Sequence, residues 1–315
     1  MHRFKNILLV MDGKGWSDAA LMRAISLAKR NPARLTLFGV AYALPQDMQR
    51  LVTIMPLAEL QNLVIEERMK DLEELLDPIR REGVRVEAKV VCGTPFLEII
   101  RQVLREKHDL VMMTEGSADG IKGLFAGSTA MRLMRKCPCP VWVVKSSQSG
   151  AFGRILAAVD PTPNDMERNA LNVKIMDLAT SLARLEQSEL HILNVWTRFT
   201  EKMWTGPVRL PEPELERIDA EDRRSHQELL GDLLNRYPLD DQKHHIHLRE
   251  GEAAPVIREL AESEGIDLVV MGTVCRTGIR GFFIGNTAER VLAQVDCSVL
   301  TVKPDGFVSP VELVA

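Results

Sequence analysis

Two carboxylates, Asp12 and Asp160, each end a short apolar run, Ile7 to Met11 and Ile155 to Val159. Later in each half comes a loop of small and polar residues, Thr114-Glu-Gly-Ser-Ala-Asp-Gly120 or Gly272-Thr273-Val-Cys275-Arg276-Thr-Gly278. A Gly-polar-Thr step then opens a helix-forming stretch, Gly127-Ser128-Thr129 or Gly285-Asn286-Thr287. Residues of these types suit anion binding. A helix N-terminus presents unpaired N–H groups and a partial positive charge, and small residues let the backbone approach a phosphate. Ser128, Asn286 and the two threonines add hydroxyl or amide contacts. The competing reading is that Ser128 or Asn286 simply caps its helix. Arg276 and Arg280 either supply charge to a phosphate or stand as solvated loop arginines.

Other chemistry-bearing groups give less. Asp12-Gly-Lys-Gly15 lacks the glycine spacing of a phosphate loop and reads as a plain loop. Cys137-Pro-Cys139-Pro140 has no second pair to complete a zinc site, and Cys139 and Cys297 read as buried small residues. Cys275 differs, because a thiol near a helix N-terminus and Arg276 suits redox sensing; an inert loop thiol is the plainer alternative. In His244-His-Ile-His247, His245 and His247 share one face of a strand while His244 points away. Two imidazoles without a nearby carboxylate make a poor metal site, so no metal is expected there and a solvated strand edge is. No nucleophile elbow, His-Glu-x-x-His or paired Cys-x-x-Cys occurs, and no catalytic constellation is found.

The elements that position these residues come twice. Phe4 to Asp12 reappears as Phe152 to Asp160, at an offset of 148. Residues 123–145 align with 281–303 at an offset of 158, with ten of 23 positions identical. The second offset also relates Gly93 to Gly251, Asp109 to Asp267 and Lys145 to Lys303. The change of offset places extra chain in the second half. Each half reads as strand, amphipathic helix, strand, long polar helix, strand, helix, strand, loop with helix, and last strand (141–144; 299–302). Apolar strands alternating with helices predict an α/β fold: two tandem doubly wound parallel-sheet domains, 1–147 and 151–309, joined at Ser146-Ser-Gln-Ser-Gly150. In such sheets ligands bind beyond the carboxyl ends of the strands, where the strand order reverses. Two apolar stretches, Leu51 to Pro56 and Met203 to Leu210, fall outside the strands. They either pack over a sheet end or the other domain, or wall an apolar ligand pocket.

The chain has 315 residues, 45% hydrophobic and 27% charged, with a net charge of −4. This composition suits a folded chain of two domains. The slight acidic excess argues against coating nucleic acid. No apolar run approaches the roughly 20 residues of a membrane span. The N-terminal apolar run of five residues is too short for a signal peptide, so a cytoplasmic location is expected.

With its Gly-polar-Thr steps and closing Lys303-Pro-Asp-Gly, the chain resembles universal stress protein domains in tandem over nearly its whole length. ATP-binding members of that family share the pattern G-x2-G-x9-G-[S/T/N]. The second half carries Gly272-x2-Cys275-x9-Gly285-Asn286, with cysteine for the middle glycine; the first carries Thr114-x2-Ser117-x9-Gly127-Ser128, with both early glycines lost. The resemblance implies that Asp160 sits near an adenine or its ribose, followed by Pro161 and Thr162, with Val195 beside the base. Asp12 and Val40 take those places in a weaker first-domain site. It further implies an internal pseudo-dimer paired through the last strands, with further dimerisation left open. The expected function is non-enzymatic: a stress-response protein sensing a small molecule, foremost ATP or another adenine nucleotide in the second domain. The alternatives are an adaptor for an apolar or lipid-like metabolite or for protein partners, and a slow ATPase with Asp160 as its base.

Overall fold

Runs of Val, Ile, Leu and Met without alternating polar residues form strands that are covered on both faces. In the computed structural model residues 4–11, 18–43, 55–115, 126–145, 152–198, 211–273 and 286–313 are described. The chain forms two compact units, residues 1–150 together with 307–315, and residues 151–306.

The first unit runs β1 (Asn6–Met11), α1 (Asp18–Arg30), β2 (Arg34–Ala41), α2 (Leu57–Arg81), β3 (Arg85–Cys92), α3 (Pro95–Glu106), β4 (Leu110–Thr114), α4 (Ala126–Lys136) and β5 (Val141–Val144). Its strands are parallel, in the order β3-β2-β1-β4-β5. The second unit runs β6 (Arg154–Val159), α5 (Met166–Glu186), β7 (Glu189–Trp196), α6 (Glu212–Leu234), β8 (His244–Glu250), α7 (Ala253–Ser263), β9 (Leu268–Gly272), α8 (Asn286–Gln294) and β10 (Ser298–Val302). It repeats the parallel order as β8-β7-β6-β9-β10. The strand order reverses between β1 and β4, and again between β6 and β9. These are the doubly wound sheets expected from the sequence.

The central strands make the cores. Ile7, Leu8, Leu35, Leu37, Leu110 and Met112 are fully buried in one unit, as are Ile155, Leu190, Leu268 and Val299 in the other. The edge strands are less covered, β8 being the solvated strand edge expected at 244–247. β3 is mostly half-buried and β8 is half-buried or exposed along its whole length. Among the described residues each has one strand neighbour in its unit, β2 or β7. The repeated Gly93 and Gly251 have a backbone explanation. They follow the edge strands at φ 156° and 135°, and their N–H groups donate to Ala41 O and Trp196 O. A side chain at Gly93 would meet Glu98 Cγ at 2.7 Å. No described helix is long and apolar enough to cross a membrane.

Candidate functional site

The second unit places Asp160 immediately beyond β6 and Gly272 at the end of the adjacent β9, across the point where strand order reverses. Val195 is the penultimate residue of β7 and is buried. Asn286 is the first residue of α8. The sheet thus brings Asp160, Val195, Gly272 and Thr273 to one set of strand ends. Pro161, buried, and Thr162 continue from Asp160, and half-buried Thr287 follows Asn286 in the first turn of α8.

Two amides that sequence reasoning missed hold this end of β6. Asn194 Nδ2 donates to Val159 O at 3.0 Å, and the Asp160 N–H donates to Asn172 Oδ1 at 2.9 Å. Both asparagines are buried. Their remaining atoms, Asn172 Nδ2 and Asn194 Oδ1, have no partner among the described residues. A buried polar atom left unpaired costs about 1–3 kcal/mol. The turn after Asp160 is closed locally. Thr162 Oγ1 donates to Asp160 O at 3.2 Å, the Thr162 N–H donates to Asn169 Oδ1, and Asn169 Nδ2 donates back to Thr162 O. Asp165 caps α5 by accepting from the Arg168 N–H at 2.9 Å. The Arg168 guanidinium then lies 3.6 Å from Asp160 Oδ2 and 3.4 Å from Asp165 Oδ2, the counter-charge that the sequence reading overlooked.

Two of the expected ligand residues have internal duties. A Cβ on Gly272 would stand 2.6 Å from Leu171 Cδ2 and 3.4 Å from Ile175 Cδ1, so the glycine lets α5 lie close on β9. Thr273 is buried, and both its N–H and its Oγ1 donate to Val302 O, at 3.2 and 3.3 Å. Asp12, Cys275, Arg276, Gly278, Arg280 and Gly285 lie outside the described residues, as do the side chains of Ser128 and Asn286 and the segments 51–54 and 203–210.

Among its described residues the first unit lacks the two amides. Val40 is buried near the end of β2, Gly127 lies in the first turn of α4, and half-buried Thr129 follows it. Half-buried Thr114 ends β4, where Gly272 ends β9. Gly39 pairs with Met11 as Asn194 pairs with Val159, and Ala24 stands where the offset of 148 puts Asn172. Neither residue brings a side-chain amide.

A model of the universal stress protein family matches residues 3–145 and again 151–303. The chain belongs to the universal stress protein family. It carries two domains of this stress-response family in tandem. It is 31% identical to "Universal stress protein E" of Salmonella typhi over 99% of this chain and 98% of that protein, and equally to its Escherichia coli K12 counterpart. Among solved structures, a functionally unknown protein from Pseudomonas aeruginosa PAO1 aligns with a TM-score of 0.71 and 27% identity, covering 96% of this chain and 94% of that one. A universal stress protein from Archaeoglobus fulgidus shares the fold, with a TM-score of 0.63 and 18% identity over 96% of this chain and 97% of its own. Both family matches include the Gly-polar-Thr step that opens the fourth helix of its unit, so the differences between the two strand-end sites arise within one shared frame.

Proposed function

We propose that the second unit binds one adenine nucleotide per chain at the carboxyl ends of β6 and β9, and that the bound state is the output presented to protein partners. The observation that carries this reading is the pairing of motif and place. The spacing Gly272-x2-Cys275-x9-Gly285-Asn286 begins at the end of β9, beside Asp160 and two buried amides with spare hydrogen-bonding atoms. The start of α8 would face the phosphates with its N–H groups. Asp160 and Val195 would face the ribose and base. The first unit, with Thr114, Ser117, Gly39 and Ala24 at the matching positions, is not assigned a nucleotide.

The test begins with protein purified without added ligand, denatured, and its released small molecules identified by mass spectrometry. Near one adenine nucleotide per chain is expected. ATP titrated into ligand-free protein should bind, and Gly285→Leu should abolish that binding while the fold, read by circular dichroism, is retained. A protein that releases no nucleotide and binds none on titration overturns the reading. One observation favours a second reading, an adaptor that holds an apolar metabolite or a protein partner. The close packing of Gly272 on Leu171 would keep that glycine in place without any nucleotide. Under that reading Gly285→Leu leaves partner binding intact.

A further inference from the structure

At the opposite end of the second unit's sheet, β7 and β8 run parallel in a register that sets His191 beside His245. Side chains alternate faces along a strand, so Glu189 and His191 of β7 share a face with His245 and His247 of β8. The ring centroids of His191 and His245 are 4.7 Å apart, and those of His191 and His247 5.3 Å, with the latter rings nearly parallel. Glu189, His191 and His245 each offer one ligand atom, and these atoms lie within 4.8 Å of one another. His191 is 1% exposed; its Nδ1 lies 3.1 Å from His247 Nε2, while its Nε2 is buried and has no partner among the described residues. Glu189 divides its oxygens: Oε1 takes the Lys243 ammonium, and Oε2 lies 3.7 Å from His245 Nε2 and 3.6 Å from Arg154 Nε.

The first unit shows what this face carries without imidazoles. There the register sets Thr36 beside Glu87. Thr36 Oγ1 donates to Glu87 Oε1 at 3.2 Å, Arg34 binds Glu87 Oε2 at 2.5 Å, and Lys89 pairs with Glu106. The strand registers place Glu189 at the position of Arg34, His191 at Thr36, His245 at Glu87 and His247 at Lys89. Two fixed cations are replaced by a carboxylate and an imidazole. A face that neutralises itself in one unit becomes a set of nitrogen and oxygen donors in the other.

We propose that Glu189, His191 and His245 form a three-ligand site for a divalent transition-metal ion of the zinc class, with His247 holding His191 in the ligating tautomer. Two imidazoles and one carboxylate are a donor set zinc accepts, and three protein ligands leave a fourth position for water. The His191 Nδ1–H donates to His247 Nε2 and leaves Nε2 with its lone pair for the metal, the arrangement by which outer groups orient a ligating histidine. Metal–ligand bonds of about 2.0–2.2 Å imply ligand atoms roughly 3.3 Å apart, so separations of up to 4.8 Å must close by as much as about 1.5 Å. His245 is exposed, on an edge strand, and Glu189 is half-buried, which leaves both side chains room to close onto His191. Lys243 keeps its hold on the other Glu189 oxygen.

The experiment uses the full-length chain, stripped of metal and nucleotide. Zn²⁺ alone is titrated by calorimetry, and Co²⁺ alone by visible absorption. One equivalent of Zn²⁺ should bind in the micromolar range or tighter, and Co²⁺ should give the intense visible bands of a four-coordinate site. His245→Ala and Glu189→Ala alter side chains at least partly open to solvent and should each weaken binding at least about tenfold, and His247→Ala by roughly 10–100-fold. His244→Ala, on the other face of β8, should change nothing. Absence of Zn²⁺ binding in the unaltered chain, or binding undiminished in both His245→Ala and Glu189→Ala, overturns the proposal.

Discussion

Replacing Gly272 by alanine separates two reasons for a glycine at the end of β9. The added Cβ would stand 2.6 Å from Leu171 Cδ2, 3.2 Å from Leu171 Cγ and 3.4 Å from Ile175 Cδ1. Carbon atoms pack at about 3.5–4.0 Å, so the nearest contact is about 1 Å too short. Leu171 and Ile175 are 4% and 2% exposed and have little free space to turn into. Overpacking of this kind costs about 1–3 kcal/mol. A chain of two units need not unfold in one step, so the cost is best read locally, by hydrogen exchange of the β9 and β6 amides followed by mass spectrometry. At tenfold per 1.4 kcal/mol, those amides should exchange roughly 5–150 times faster where local opening limits exchange. Leu171→Ala makes room for the new methyl, so the double variant should cost less than the sum of the two single changes. Unchanged exchange in Gly272→Ala would refute the packing account. If nucleotide binding were lost at the same time, the glycine would serve the ligand alone.

Asp160→Asn should shift stability by no more than about 1 kcal/mol, because its ion pair with Arg168 is 3.6 Å long and partly exposed. It should nonetheless weaken adenine-nucleotide binding; unchanged affinity by calorimetry would remove Asp160 from the site, and unchanged phosphate release would remove it as the base of a slow ATPase. His108 is buried, and burial lowers its pKa below 6.5 against the opposing pull of Glu106, with Arg34 and Lys89 adding to the fall. Its folded form therefore resists a proton that the unfolded chain accepts, so its share of the first unit's stability is full above about pH 6.5 and is lost as pH falls from there towards the lowered folded value. Thermal unfolding at a series of pH values should show this decline, and His108→Leu should flatten it; an identical slope in the variant would exclude His108 as the cause. Cys137 and Cys139 are buried with their sulfurs 3.5 Å apart, and the contact with Cys137 together with burial pushes the Cys139 thiol well up. In the folded protein iodoacetamide should therefore label the half-buried Cys92 before either of them, as peptide mass spectrometry would report.

The duplication and the succession of strands and helices along the chain were legible because both rest on local patterns. Ile7 to Met11 and Ile155 to Val159 read as buried strands from their composition alone, and the same order of elements in each half forced one topology on both. The buried cysteines followed from the same patterning: Cys139 and Cys297 each precede the last strand of a unit and are buried. What escaped the sequence depends on which residue of one strand lies beside which residue of the next. His245 and His247 were seen to share a face, but nothing local says that His191 and Glu189, more than 50 positions earlier, stand across from them. That follows only from the register of β7 against β8. Asn194 had a readable signal, a polar residue inside an apolar strand, yet its role depends on its register partner Val159. The glycine at 272 was read for its freedom to approach a phosphate, whereas the contact it visibly permits is with a helix.

These misses share a cause, and it bears on how one fold hosts two chemistries. The apolar positions that define the duplicated frame are similar in the two units, so composition and periodicity report the frame and average over its differences. The differences sit at register-matched polar positions: Gly39 against Asn194, Ala24 against Asn172, Thr114 against Gly272, and Arg34, Thr36, Glu87 and Lys89 against Glu189, His191, His245 and His247. Each exchange leaves the backbone path intact. The first three change which hydrogen-bonding groups and which helix approach a strand end receives. The last four exchange Arg34 and Lys89 for a carboxylate and an imidazole, leaving Lys243 and Arg154 beside Glu189 as the cations on that face. Because strand registers hold these positions while packing energy is spent elsewhere in the core, polar groups at a sheet's ends and edges are free to diverge at small cost in stability. In the second unit Asn172 and Asn194 at one end of the sheet and His191 at the other each keep a side-chain atom without a partner among the described residues, and these are the ends at which the nucleotide and the metal ion are proposed to bind.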